Sequence, residues 1–288
     1  MLRRLYLLLQ HALPHHAVTR LGFWITHIRV GAIKNWQIRG FIRRFDIDLA
    51  EAETTDLDHY PTFDAFFTRG LAPGARSADP DPDAVLMPAD GRISATGRID
   101  ADRIYQAKNH HFSLNELLGD EARAADYVDG SFATVYLQPR NYHRVHMPFA
   151  GTLRETLYIP GRLYSVAPVT VEGVPRLFAR NERLVCHFDT AIGPMALIFV
   201  GAMIVSGIET VWSGMEPARG AALPQHTPYR EALPAITLDR FAEAGRFHMG
   251  STAIVLFGRD RVRIDPFETG QTVKVGERLG TTSGRTFT

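Results

Sequence analysis

From Val85 onward the chain is a succession of short β-rich runs: FATVYL, GTLRETLYI, RLVCHF, MALIFVGAMIV, STAIVLF and TVKVGERL, each set off by Gly, Pro or Asp. Such runs suit a pleated, half-buried surface and are too short for long helices. Ahead of them, DLAEAETTDLDHYPTFDAFFTRGL supplies Asp and Thr as caps and Pro61 at an expected helix start. Residues 73–82, rich in Pro, Asp, Ala and Gly, read as a surface connection. The pattern predicts an α+β protein, with helices over residues 1–72 and a mainly β catalytic core over 73–288. The apolar run 195–205 is too short and glycine-interrupted to cross a bilayer, so a buried strand or strand pair is expected. A chain of 288 residues, 45% hydrophobic, can bury such a core. Its only cysteine, Cys186, excludes an intrachain disulfide and a multi-cysteine zinc site.

Charge divides the chain unevenly. Residues 1–45 hold eight of the 32 basic residues and none of the 31 acidic ones, leaving 24 basic against 31 acidic in the remainder. A segment of charge +8 on a body of −7 points to a polyanionic partner. The arginines are interleaved with Leu, Ile, Phe, Trp24 and Trp36 at roughly helical spacing, too oily for a nucleic-acid tail and suited to an amphipathic segment in an anionic membrane interface. Two other readings compete. Arg3 and Arg4 precede an apolar stretch as in a signal peptide, but the stretch breaks at Gln10 and His11 and no small-residue cleavage site follows. Helices merely packed on the body would leave the lack of acids unexplained.

Three patterns offer chemistry: MPADG at 87–91, YHRVHMP at 142–148 and HMGST at 248–252. Together they hold an Asp, two His and a Ser, the residue types of an acid, base and nucleophile set. Singly each has an ordinary explanation. Asp90-Gly91 is a common hairpin turn, His143 and His146 are ordinary strand or turn histidines, and Ser251 simply begins a strand. A metal pair at His143 and His146 lacks a nearby carboxylate to complete it, so no metal site is expected. The elbow of an α/β-hydrolase needs G-x-S-x-G before a helix, whereas Ser251 follows glycine directly and precedes a β-branched run.

As a set, with LFARNER at 177–183 and IETVWSG at 208–214, these motifs resemble the prokaryotic type of phosphatidylserine decarboxylase, a pyruvoyl-dependent family of phospholipid synthesis, from the helical N-terminus to about residue 280. The family's usual Leu-Gly-Ser-Thr stands here as Met249-Gly250-Ser251-Thr252, a volume-conserving change. The resemblance implies self-cleavage between Gly250 and Ser251 into fragments 1–250 and 251–288, with Ser251 becoming a covalent pyruvoyl cofactor. His146 would be the base for cleavage, and Asp90 would orient it. His143, beside it, is expected to handle protons during decarboxylation. The substrate amine would form a Schiff base with the pyruvoyl group, releasing carbon dioxide and leaving phosphatidylethanolamine. An anionic membrane is the implied partner, on the cytoplasmic face of the cell membrane, with residues 1–72 as the docking region; a homodimer is left open. Two other functions fit fewer of these features: an autoprocessing Ser-His-Asp lipid hydrolase and a non-catalytic membrane-binding protein.

Overall fold

In the computed structural model, residues 2–108, 110–203, 207–216 and 222–284 are described. Three helices come first: α1 (Leu2–Ala12), α2 (His15–Thr26) and α3 (Gly31–Phe45). The last ends on Asp46 in the left-handed region, with Arg43 and Arg44 in its final turn, where cations complement the helix dipole. None of these helices is long and apolar enough to cross a membrane.

The arm is fastened at several points. The buried Lys34 ammonium donates to the carbonyls of Leu57 and Tyr60, each at 2.7 Å. The Gln10 side-chain oxygen accepts from the backbone N–H of Ser165 at 2.9 Å. The inner face of α3 places Ile38 among Tyr60, Phe63, Phe66 and Phe67. The last three belong to a short helix, α4 (Phe63–Phe67). It starts two residues beyond Pro61 because the Thr62 hydroxyl caps it, accepting from the N–H of Ala65 at 3.0 Å.

The body is a nine-stranded sheet and a four-stranded sheet, with two smaller ones. In the large sheet, Ser251–Phe257 lies between Gly193–Val200 and Ser131–Leu137, antiparallel to both. Side chains alternate along a strand, and here both faces are covered. Ala253, Val255 and Phe257 enter one core, while Ile254 and Leu256 enter the other. That two-sided burial explains the unbroken apolar runs. The expected strand within 195–205 is Gly193–Val200; residues 204–206 lie outside the described ones.

Two local expectations change. TVKVGERL is two strands, Thr272–Val273 and Arg278–Thr282, because Gly276 turns the chain at a φ of 88°. Asp90-Gly91 is no hairpin: Ala84–Leu86 pairs with Arg278–Thr282, while Gly91–Arg98 pairs with Ser131–Leu137.

The four-stranded sheet runs Gly214–Glu216, Gly207–Thr210, Glu243–His248, Arg144–His146. The chain therefore leaves this sheet at His248 and enters the large one at Ser251, with only Met249 and Gly250 between. Substituting Lys34→Ala strands two carbonyls and should destabilise the arm's attachment by about 2–4 kcal/mol. Limited proteolysis should then open residues 27–62 before the β body, and an unchanged digestion pattern would refute this attachment.

Candidate active site

Strand parity assembles the site. Ser251 shares the face of Ala253, whose core also holds Met87 and Ala89 of MPADG, Val145 and Met147 of YHRVHMP, and Phe247. Backbone bonds lock the three motifs together: His146 N–H donates to Pro88 at 2.8 Å and Phe247 N–H donates to His143 at 3.0 Å. The sequence patterns, distant along the chain, thus pack around one core, which the alternate residues Val145 and Met147 enter and His146 does not.

Ser251 is fully buried, and its hydroxyl has no hydrogen-bond partner among the described residues. Its register partner is Leu137 on one side only, since pairing with Gly193–Val200 begins at Thr252. Just before it, Met249 and Gly250 both take positive φ, 77° and 70°. For methionine this left-handed conformation is strained by roughly 1–2 kcal/mol. Packing of Met249 against the aromatic core of α3 and α4 holds it there. A Cβ built on Gly250 would meet nothing within 4 Å, so the glycine is required here by its left-handed φ and not by crowding.

His146 has both ring nitrogens engaged. Nδ1 lies 2.7 Å from the carbonyl of Phe241, which only accepts, so Nδ1 carries the proton. Nε2 is then the base atom, and the Tyr142 hydroxyl donates to it at 3.0 Å. Burial pulls the pKa of His146 below its ordinary value, partly offset by the Phe241 bond, so the ring is neutral near pH 7. Asp90 makes no hydrogen bond to it. Instead Arg76 clamps the Asp90 carboxylate at 3.1 and 2.5 Å, and the N–H of Val275 donates to it at 2.8 Å. The tautomer is thus fixed by Phe241, while Asp90 acts on His146 through space, favouring the charged ring.

His143 is wholly enclosed, its ring 4.0 Å from that of Phe67. Nδ1 donates to the carbonyl of Asn141 at 2.8 Å, and Nε2 is buried without a partner. Burial, helped by the charge of Arg69, drives its pKa down to about 3, leaving a neutral ring with an open lone pair.

Several contributors were not read from sequence. Arg76 sits in the 73–82 segment expected to be surface, yet its side chain is 7% exposed, because it must reach Asp90 and Glu51. Tyr142 and His248 lie inside quoted motifs, but their roles depend on partners far along the chain. LFARNER proves to be scaffold: Asn181 bonds Tyr164 and Gly201, and Arg183 bonds the carbonyls of Glu116 and Leu117. Among the described residues no His, Cys, Asp or Glu cluster could hold a metal.

His248 anchors the strand that leads into Met249-Gly250. Nδ1 bonds Asp64 of α4 at 2.7 Å and Nε2 bonds Glu209 at 2.9 Å, while His27, the residue that follows α2, stands 3.8 Å from the same Asp64 oxygen and Arg246 4.0 Å from Glu209. Burial alone would lower its pKa, but the two carboxylates carry it up to about 9. The folded pKa exceeds the unfolded one, so this stabilisation is full below pH 6.5 and is lost as pH rises through about 9. In a Ser251→Ala background, stability measured in urea should fall by on the order of 2–3 kcal/mol across that window, and His248→Gln should remove the slope. Equal slopes in the two proteins would show that this cluster is not the source.

Comparison with known proteins agrees with this arrangement. A family model described as phosphatidylserine decarboxylase matches residues 63–281, and a second, described as PSD, matches residues 5–46. A phosphatidylserine decarboxylase proenzyme of Xanthomonas euvesicatoria pv. vesicatoria (strain 85-10) is 54% identical over 272 residues, covering 94% of this chain and 96% of that protein. A protein of the same description from Ectopseudomonas mendocina (strain ymp) is 51% identical over 282 residues, covering 97% and 99%. One from Xanthomonas campestris pv. campestris (strain B100) is 56% identical over 248 residues, covering 86% and 87%. With a β core that gathers the three motifs around Ser251, and relatives aligned over almost the whole chain, the protein belongs to the phosphatidylserine decarboxylase family.

Proposed function

We propose that this chain is a precursor that cuts itself between Gly250 and Ser251 and then decarboxylates phosphatidylserine to phosphatidylethanolamine. The observation that carries this reading is the buried Ser251 hydroxyl, unpartnered among the described residues and placed directly after the left-handed dipeptide Met249-Gly250.

His146 takes the hydroxyl proton at Nε2 once the Tyr142 hydroxyl releases that lone pair, and Asp90, held by Arg76, favours the resulting charge. The Ser251 oxygen attacks the Gly250 carbonyl and the peptide bond becomes an ester. Loss of the Ser251 α-proton breaks the Cβ–O bond, so the hydroxyl oxygen departs with Gly250 as its carboxylate. The dehydroalanine left at 251 takes up water and releases ammonia, which gives the pyruvoyl group. The residues present fit that product: it would occupy a buried position at the head of a strand paired on both sides from Thr252 onward, enclosed by the core. When formed, it supplies a carbonyl that engages the substrate amine and accepts the electrons freed as the carboxylate leaves. His143, neutral and with Nε2 open, accepts there the proton that the substrate ammonium loses and returns it to the substrate carbon.

Docking falls to α1–α3, at the cytoplasmic face of an anionic membrane. Trp24 and Trp36 are 68% and 70% exposed, beside exposed Leu21, Ile25, Val30 and Ile33. Arg20, Arg29, Arg39, Arg43 and Arg44 are exposed on the same helices or between them. Residues 63–69 belong instead to the wall of the site, through Asp64, Phe67 and Arg69.

Intact-mass spectrometry should find fragments 1–250 and 251–288, the smaller without its amine, and Ser251→Ala should remain uncut. Borohydride with phosphatidylserine should fix an adduct to the small fragment; one uncut species in an active preparation would overturn the reading. His143→Ala should still mature while turnover falls by roughly a hundredfold or more. Loss of cleavage with normal turnover in any matured fraction would remove His143 from that role. Replacing Trp24 and Trp36 together by Ala should weaken partition onto anionic vesicles by roughly tenfold, with cleavage unaffected; unchanged partition would move the docking surface elsewhere.

A further inference from the structure

Arg69, just beyond α4, is 5% exposed, yet among the described residues no carboxylate forms an ion pair with it. Its Nη1 is buried without a partner, and Nη2 reaches only the carbonyl of Arg140, at 3.4 Å. The guanidinium lies 5.0 Å from the centre of the Phe66 ring. Burial pushes its pKa down, and Tyr60, Asp90 and Glu51 only pull it part of the way back. A buried cation so poorly matched is costly unless an anion arrives.

Arg69 also lines a cavity of about 160 Å³ together with Asp90, Arg140, Asn141, Tyr142 and Lys274. The acids that could neutralise it are already committed: Asp90 to Arg76, and Glu51 to Arg76 and Lys274. Asp46 and Asp48 also line the cavity but are exposed, where water screens their charge. Arg140 is exposed and likewise has no acidic partner among the described residues. This cavity adjoins the reacting centre. Arg140 and Asn141 lie in the turn that follows Leu137, the register partner of Ser251, and the Asn141 carbonyl holds His143.

We propose that Arg69, with Arg140 at the mouth of the cavity, binds the phosphodiester of the phospholipid substrate; this rests on the decarboxylase reading above. The substrate has two anions, and chemistry separates them. A guanidinium gripping the carboxylate would stabilise a charge that must vanish in the transition state and so would slow the reaction. A grip on the phosphodiester, which does not react, spends binding energy on holding the headgroup in place. The cavity also opens beside Asp46, the residue that ends α3, close in sequence to the exposed Arg43 and Arg44 of the docking surface.

Arg69→Gln, Arg69→Lys and Arg140→Gln, matured from the full chain, can be assayed in mixed micelles with phosphatidylserine as substrate and phosphatidylethanolamine as inhibitor. The product keeps the phosphodiester and lacks the carboxylate. Arg69→Gln should raise KM about 10- to 100-fold, and raise the inhibition constant of phosphatidylethanolamine by the same factor. Arg69→Lys should recover part of the loss, because the charge returns without the fork. Arg140→Gln should move both constants in the same direction by a smaller factor. An unchanged KM in matured Arg69→Gln overturns the subsite. So does a raised KM with an unchanged inhibition constant, which would give Arg69 to the carboxylate. If Arg69→Gln fails to mature, the lysine and Arg140 variants decide, and wild-type constants in those that mature overturn it. A wild-type protein that gives no borohydride adduct with phosphatidylserine fails the functional reading itself, whereas a normal adduct with unchanged constants fails only the subsite.

Discussion

Two residues, Met249 and Gly250, carry the chain from one sheet to another, and both do so in the left-handed region. A dipeptide in that conformation relaxes unless each end is held, and here both are. Upstream, the strand Glu243–His248 is paired with Gly207–Thr210 and Arg144–His146, and His248 ties its end to Asp64 and Glu209. Downstream, all seven residues of Ser251–Phe257 are buried in the middle of the large sheet. The left-handed link is therefore sustained by sheet pairing on both sides, which is how a globular protein can keep a costly backbone conformation at a chosen bond.

The same arrangement protects what lies next to that bond. Ser251 and His143 each present one buried polar atom without a partner among the described residues, an expensive condition. His146 differs in that Tyr142 occupies its base nitrogen, so the two histidines of YHRVHMP share a tautomer but not a state of readiness. Asp90 is clamped by Arg76 rather than bonded to a histidine, which makes it a fixed charge and not a hinge. The site is thus built mostly of groups held by backbone carbonyls and ion pairs, with little freedom to rearrange.

The N-terminal segment connects this interior to the surface. α3 packs through Ile38 on the aromatic cluster that also receives Met249, and Lys34 fixes the next turn of chain. His27, at the end of α2, lies beside the Asp64 oxygen that holds His248. The helices that expose Trp24 and Trp36 therefore share their packing with the residues flanking the candidate cleavage bond.

By itself the sequence determined the classes of element and singled out candidates for the chemistry. Alternating and continuous apolar runs are local facts, so FATVYL and STAIVLF could be read as strands directly, and Gly250-Ser251 could be singled out from its neighbours. The absence of acids before Asp46 marked the basic arm just as directly. Tertiary structure alone decided which face each residue serves and who holds whom. Arg76 looked like part of a surface connection because nothing nearby in sequence reveals that Asp90 waits inside. His248 becomes a buried cation only because Asp64, 184 residues away, folds against it. Phe241 sets the His146 tautomer with a backbone carbonyl, a group every residue has and no side-chain pattern can advertise. Local propensity follows from neighbouring residues, whereas burial, ion pairing and proton position depend on contacts that only the closed fold creates.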